Sequence, residues 1–448
     1  MPPVSSPTAP PPPSPTSPRT RTRTRTRTRA GAVAAPRRVG ADRWDRLHGR
    51  AWLYWLGCAV FALLLALTTT LTPHRIWGVC AALGYAVAAV CARRTPRPWG
   101  RAGLPAAVAG SVVLPLVVLI GLGAAQSEVH VVEHSGTLLL HSGSPYEPHP
   151  LDVDDYNPYL PGMALLGLPH ALFGDTPLAD ARLWFAAVFL TCMYAAPRGI
   201  ADVRFARAAG AARPYPLAWP VGARSARPAR PVDAVLLLAA FPAVALPLAV
   251  GGVDLPVIGL MCLGPALAGR GGSGTAAGLA MGAAAALKWT AWPLLPVGLA
   301  LLAVTAGRRA AVRAGVVAMA VAGVAVLPAI FANPHAFVEH VVLFPLGEAG
   351  VESPATSPLP GYLLATYVPG GSALATGALV VAAVAVAASL VARPPRTVLA
   401  AADRLAIGLG LAMCLMPATR FGYLAYPLVL ALWFRAAPAF GGRPLSRS

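Results

Sequence analysis

The stretch Ala51-Trp52-Leu53-Tyr54-Trp55-Leu56-Gly57-Cys58-Ala59-Val60-Phe61-Ala62-Leu63-Leu64-Leu65-Ala66-Leu67 carries no charge and has no polar side. An apolar run of this length, uniform all round, is what a helix needs to cross a bilayer core of about 30 Å. Transmembrane strands would instead alternate polar and apolar positions over about ten residues. Working outward from this first run (about 51–70), twelve more follow. They cover about 76–92, 103–123, 158–173, 180–197, 232–250, 255–268, 272–287, 289–305, 312–330, 372–391, 400–417 and 421–436. Of the 448 residues, 56% are hydrophobic and 12% charged, and the mean hydropathy is +0.61. A water-soluble fold is excluded, because an ordinary globular chain has about a quarter of its residues charged. The expected fold is all-α: a polytopic membrane protein of about 12–13 transmembrane or re-entrant helices with an extracytoplasmic loop.

Charge orients these segments. The formal charge is +19, and Lys288 is the only lysine. The arginines gather in the N-terminal tail and between apolar runs, at Arg93, Arg94, Arg97, Arg308, Arg309, Arg313, Arg393, Arg396, Arg443 and Arg447. Inside-positive topology accounts for that distribution, so no nucleic-acid partner is implied. Residues 1–45, rich in Pro, Ser, Thr and Arg, are expected to be a disordered cytoplasmic tail with no cleavable signal peptide. The membrane domain then spans 46–438, and 439–448 form a second cytoplasmic tail. Thirteen crossings put the C-terminus outside, against its arginines. One run is therefore expected not to cross, and the conflict lies at 158–230, where two short runs precede the arginine-rich stretch Arg198–Arg230. The six cysteines have no paired spacing and read as core residues, neither disulfides nor metal ligands.

Two outer loops are expected, over about 124–157 and 331–360. The first holds six of the chain's 17 acidic residues and four of its nine histidines. The second contains Glu339, His340, Glu348 and Glu352, and the two together could roof a site. In the first loop, acids, aromatics and prolines are interleaved from His141 to Pro161, directly before an apolar run. A carboxylate there can act as a general base toward a sugar hydroxyl if a cation favours the departing phosphate. Lys288, at the apex between two apolar runs, would be costly in hydrocarbon without a partner or water, and it suits a lipid phosphate. Arg420, in Pro417-Ala418-Thr419-Arg420-Phe421-Gly422-Tyr423, offers a guanidinium fork to phosphate oxygens. Asp254, in the turn Gly251-Gly252-Val253-Asp254, reads first as a hairpin cap. His130-Val131-Val132-Glu133-His134 matches an inverted zinc-protease pattern. Val131 and Val132 do not favour a helix strongly and no further ligand is evident, so no metal site is assigned. Assistance of a leaving phosphate by a divalent ion held on these outer-loop histidines and acids stays open.

These elements resemble the GT-C superfamily of polyprenyl-phosphate-sugar-dependent glycosyltransferases, and most closely bacterial glycosyltransferase family 87, whose members include alpha-mannosyltransferases. The resemblance rests on Glu128 after an early outward helix, Gly143-Ser144-Pro145-Tyr146, Tyr156-Asn157-Pro158-Tyr159-Leu160-Pro161, and Phe173-Gly174. Gly251-Gly252-Val253-Asp254 and the segment from Gly278 to Lys288-Trp289-Thr290-Ala291-Trp292-Pro293 add to it. It implies a multi-pass enzyme of the cell membrane with an extracytoplasmic active face. Such an enzyme would move one sugar, mannose being one option beside arabinose and glucose, from a polyprenyl phosphate donor to a glycan or glycolipid acceptor. The family's base is an aspartate in the first outer loop, where this chain has Glu128; Asp154 and Asp155 are the alternatives. Lys288, Arg420, Tyr156 and Tyr159 would hold the donor. The competing readings are a transporter or flippase, which should show inverted repeats and charges near mid-membrane, and a non-catalytic membrane scaffold.

Overall fold

The structure is a computed structural model that describes residues 51–94, 103–196, 231–351 and 355–436. The two tails, Arg97, the stretch Arg198–Arg230 and Glu352 lie outside the described residues. Apart from one β bridge between Thr356 and Thr419, the described residues form helices and turns.

Three helices open the membrane domain: α1 (Ala51–Thr68), α2 (Thr72–Arg94) and α3 (Leu104–Gly121), the last with a π turn at Ala109–Val113. The first outer segment, expected as a loop, instead contains the 16-residue helix α4 (Ser127–Ser142). Val129, Val132, Glu133, Ser135 and Gly136 share its buried face. That burial outweighs the weak helix preference of the two valines, since a packed face contributes more than intrinsic propensity. Gly143, at φ 74°, ends α4 in the left-handed region that glycine tolerates.

The run at 158–173 does not cross. It breaks into a 3₁₀ segment, Pro161–Leu166, and α5 (Leu168–Phe173), of six residues each. Each piece is about 10 Å long, far short of a bilayer core. After it come α6 (Ala181–Ala195), then α7 (Pro231–Ala239) and α8 (Pro242–Val250), the last two bent by 77° where Pro242 starts a new helix. Next are α9 (Asp254–Gly269), α10 (Thr275–Leu287), α11 (Leu294–Thr305) and α12 (Arg308–Ala332). The second outer segment holds α13 (Pro334–Val338) and a π turn (Glu339–Leu343), and α14 (Pro360–Tyr367) begins at its end. The chain closes with α15 (Gly371–Ala392), α16 (Val398–Leu415) and α17 (Ala425–Ala436).

Among the described residues, six helices are long and apolar enough to cross a membrane, or seven if the bent pair is one span. Five shorter apolar helices accompany them, and counting all of these as segments gives twelve, the even number that the arginine distribution favours. The contacts fix which helix ends lie together. Gln126 and His74 meet at 3.3 Å, so the start of α2 adjoins the start of α4 and its terminal Arg93 and Arg94 point to the other end of the bundle. That other end also gathers Arg270, Arg308 and the Arg435–Asp403 pair (2.6 Å).

Helix α10 runs parallel to α12 at backbone-to-backbone distance. A Cβ added at Gly278 or Gly282 would come within 2.6 Å of the Ala314 or Ala318 carbonyl oxygen. Only glycine permits so close an approach, which sets the register between the two helices. Continued along the pair, that register puts Lys288 level with Val324, and α12 runs on for about 12 Å past it. The α10 apex is therefore recessed below the end of the bundle.

Candidate functional site

Lys288 follows α10 in extended backbone (φ −159°), where the peptide N–H of Leu160 donates to the Leu287 carbonyl at 3.1 Å. The aromatic and proline element 156–161 thus dips into the recess and touches the lysine apex. Lys288 is 9% exposed, and its Nζ lies 2.5 Å from Asp254 Oδ1. The Tyr159 and Tyr423 rings flank the ammonium at 5.3 and 4.9 Å, giving it aromatic faces in place of water. Asp254 is the first residue of α9, next to the positive end of that helix. The Tyr426 hydroxyl donates to the same carboxylate at 2.8 Å and accepts from Thr290 Oγ1 at 3.0 Å.

Arg420 is held by its neighbours in the chain. Thr419 pairs with the 355–357 segment through Ser357 N–H to Thr419 O and Thr419 N–H to Ala355 O, both 2.9 Å, and its hydroxyl donates to Met413 O at 3.0 Å. The Arg420 guanidinium is ion-paired with Glu128, in the first turn of α4. The Tyr423 ring that faces the Lys288 ammonium follows Arg420 by three residues, so the two ion pairs form one cluster. Glu128, Tyr159, Lys288 and Arg420, far apart in sequence, are brought together with Asp254, Tyr423 and Tyr426. In this site two cations are matched by two carboxylates.

The other expected residues lie elsewhere. Asp155 accepts the backbone N–H groups of Leu151 and Asp152 at 2.9 and 3.0 Å, and these bonds hold its carboxyl below the usual range. It stabilises the local turn. Asp154 is exposed on the same 3₁₀ turn. Tyr156 stacks on Phe344 (4.6 Å) and donates to Ala349 O (3.0 Å) and Glu339 Oε1 (3.3 Å), joining the two outer segments. His340 completes that clasp: Asn157 N–H donates to its Nδ1 at 2.9 Å, which leaves Nε2–H to donate to Glu147 O at 2.8 Å. Burial lowers the pKa of this imidazole, in keeping with the neutral form that this bonding requires. The two segments therefore meet.

The zinc-like motif is helical, and His130 Nδ1 lies 3.7 Å from Glu133 Oε2, but the second histidine does not join them. Glu133 Oε1 accepts the Ala181 N–H at 3.0 Å and so caps α6, while His134 turns to Glu147 at 3.4 Å. Among the described residues, no group of three or more His, Cys, Asp or Glu side chains is placed to hold a metal ion. The six cysteines are unpaired.

Sequence reasoning did not pair Asp254 with Lys288, although a signal existed. Asp254 is the sole acid between Asp233 and Glu339, and a lone lysine in apolar surroundings requires a counter-charge. Tyr423 and Thr290, which stand in the Arg420 and Lys288 motifs, and Tyr426 carry no assigned role in the sequence because hydroxyls at the ends of apolar runs also serve as ordinary interfacial residues.

No curated protein and no solved structure matches the chain. The matched family segment begins at Asn157 and ends at Pro417, so it includes Tyr159, Asp254 and Lys288 and stops short of Glu128 and Arg420. With the model of glycosyltransferase family 87 matching residues 157–417, more than half of its length, this membrane-spanning chain belongs to that family of glycosyltransferases.

Proposed function

We propose that the protein transfers a sugar, with mannose the first candidate, from a polyprenyl phosphate donor to a glycan or glycolipid hydroxyl on the extracytoplasmic face of the cell membrane. The observation that carries this reading is the meeting of Lys288 and Arg420 with Glu128 in a recess at the end of the bundle opposite the arginines. Inside-positive orientation supports reading that end as extracytoplasmic.

In this reading Arg420 and Lys288 bind the phosphate oxygens, with the guanidinium fork fixing orientation and the ammonium adding charge. Glu128 takes the proton of the acceptor hydroxyl as that oxygen attacks the sugar's anomeric carbon from the face opposite the phosphate. The anomeric C–O bond breaks, its electron pair stays with the departing phosphate, and the configuration inverts. The two cations stabilise the charge gained by the leaving group. Tyr159 and Tyr423 wall the site against water. Asp155 is occupied in its turn and Asp154 faces solvent, which favours Glu128 as the base.

The test is turnover by the purified protein in detergent. Given donor and acceptor, it is expected to release polyprenyl phosphate and a glycosylated acceptor. Glu128→Gln is expected to lower that rate on the order of a hundredfold or more, with thermal unfolding unchanged. Full turnover by Glu128→Gln removes the assigned base, and no release by the wild-type protein removes the donor assignment.

A further inference from the structure

The two ion pairs of the site are not equivalent. Asp254 keeps a second donor, the Tyr426 hydroxyl, itself bonded to Thr290, so it stays anchored whatever Lys288 does. Glu128 stands on the first turn of α4, and its carboxylate occupies the guanidinium of Arg420. Resting on the transfer reading above, we infer that Arg420 exchanges anions during the reaction. It holds Glu128 while the site is empty and releases it when the donor phosphate arrives.

Two consequences follow from charge. Before the donor binds, the base is masked, because its carboxylate is held on the Arg420 guanidinium and is not free to face an acceptor hydroxyl. The phosphodiester donor is a monoanion and displaces Glu128 from Arg420, which unmasks the base only when there is a sugar to transfer. In the transfer step, the acceptor O–H proton passes to Glu128, the new bond forms to the anomeric carbon, and the broken C–O bond leaves its electrons on the phosphate. Glu128 is then neutral and the phosphate a dianion, so the net charge of the site is unchanged. Loss of the Glu128 proton restores the carboxylate, which retakes Arg420 and drives the lipid phosphate out. The same pair thus sets the order of substrate addition and promotes product release.

The experiment measures equilibrium binding of a short-chain prenyl phosphate to the full chain in detergent, without acceptor or turnover. Glu128→Gln is expected to bind this probe about tenfold more tightly than wild type, the scale of one half-buried ion pair, although it transfers poorly. Glu128→Ala, which removes the same charge, is expected to gain similarly. Glu128→Asp, which keeps the charge, is expected to stay near wild type, and Arg420→Gln to bind more weakly. Unchanged or weaker binding by both uncharged Glu128 variants overturns the exchange and leaves the transfer reading standing. Absence of binding by every protein, including wild type, overturns both. In wild-type steady-state kinetics the donor is expected to add before the acceptor, and random addition also overturns the exchange.

Discussion

The two ends of the bundle use charge differently. At the arginine end, cations are spread along helix termini and satisfied one by one. Arg435 pairs with Asp403, Arg404 donates to Ser389 O at 3.0 Å, and Arg93 lies over the Trp52 ring. At the recessed end, Glu128, Asp254, Lys288 and Arg420 come from four separate helix boundaries and share one small volume. Charges that only orient helices in a membrane have no need to converge. Convergence restricts several boundaries at once, and it marks the end where a ligand's charge can be met.

Four substitutions can break or sharpen that contrast. The largest effect is expected for Lys288→Met, which removes the ammonium proposed to hold the phosphate and leaves Asp254 without its cation. Sugar transfer should fall on the order of a hundredfold or more, and retention of wild-type turnover would end the special status of this end. Arg420→Lys keeps the charge but loses the fork. A drop of about tenfold in kcat/KM is expected, and equality with wild type would show that charge alone suffices.

The third concerns the clasp between the outer segments. In the fold His340 is neutral and its pKa is lowered by burial, whereas in the unfolded chain it takes up a proton below about pH 6.5. The His340-dependent stability is thus complete above that pH and is lost as pH falls through it. The stability advantage of wild type over His340→Gln, read by thermal unfolding in detergent, should shrink between pH 7.5 and 5.5, and a constant gap would refute the assignment. The smallest effect on transfer is expected for Arg435→Gln at the other end. Transfer should stay within about twofold, while stability should fall by about 1–3 kcal/mol because the partly buried Asp403 loses its cation. A large loss of transfer would erase the distinction between the ends.

Most of the fold was legible because apolar length reports burial in lipid directly. The parity error was legible too, since arginine position and segment count disagreed, yet only the structure shows the 158–173 run broken at Gly167. Helix α4 was not legible: Val131 and Val132 argue against a helix locally, and the face that stabilises it is formed by distant elements. For the site, Lys288, Arg420 and Glu128 stood out as charged residues at apolar boundaries. Their pairing depends on which boundaries meet, which composition does not encode. Asp155 shows the opposite limit, because a carboxylate that caps its own turn is indistinguishable in sequence from one that faces a ligand.

The glycines of α10 have one more consequence. Gly278 and Gly282 rest on the carbonyls of α12, and Lys288 follows on the same rigid rod about 9 Å beyond Gly282. A single methyl placed at that seam would wedge the rod sideways or slide it along its neighbour, carrying the ammonium with it. The depth of the Lys288 ammonium in the bundle is thereby calibrated by a backbone stop more than a helical turn away from it.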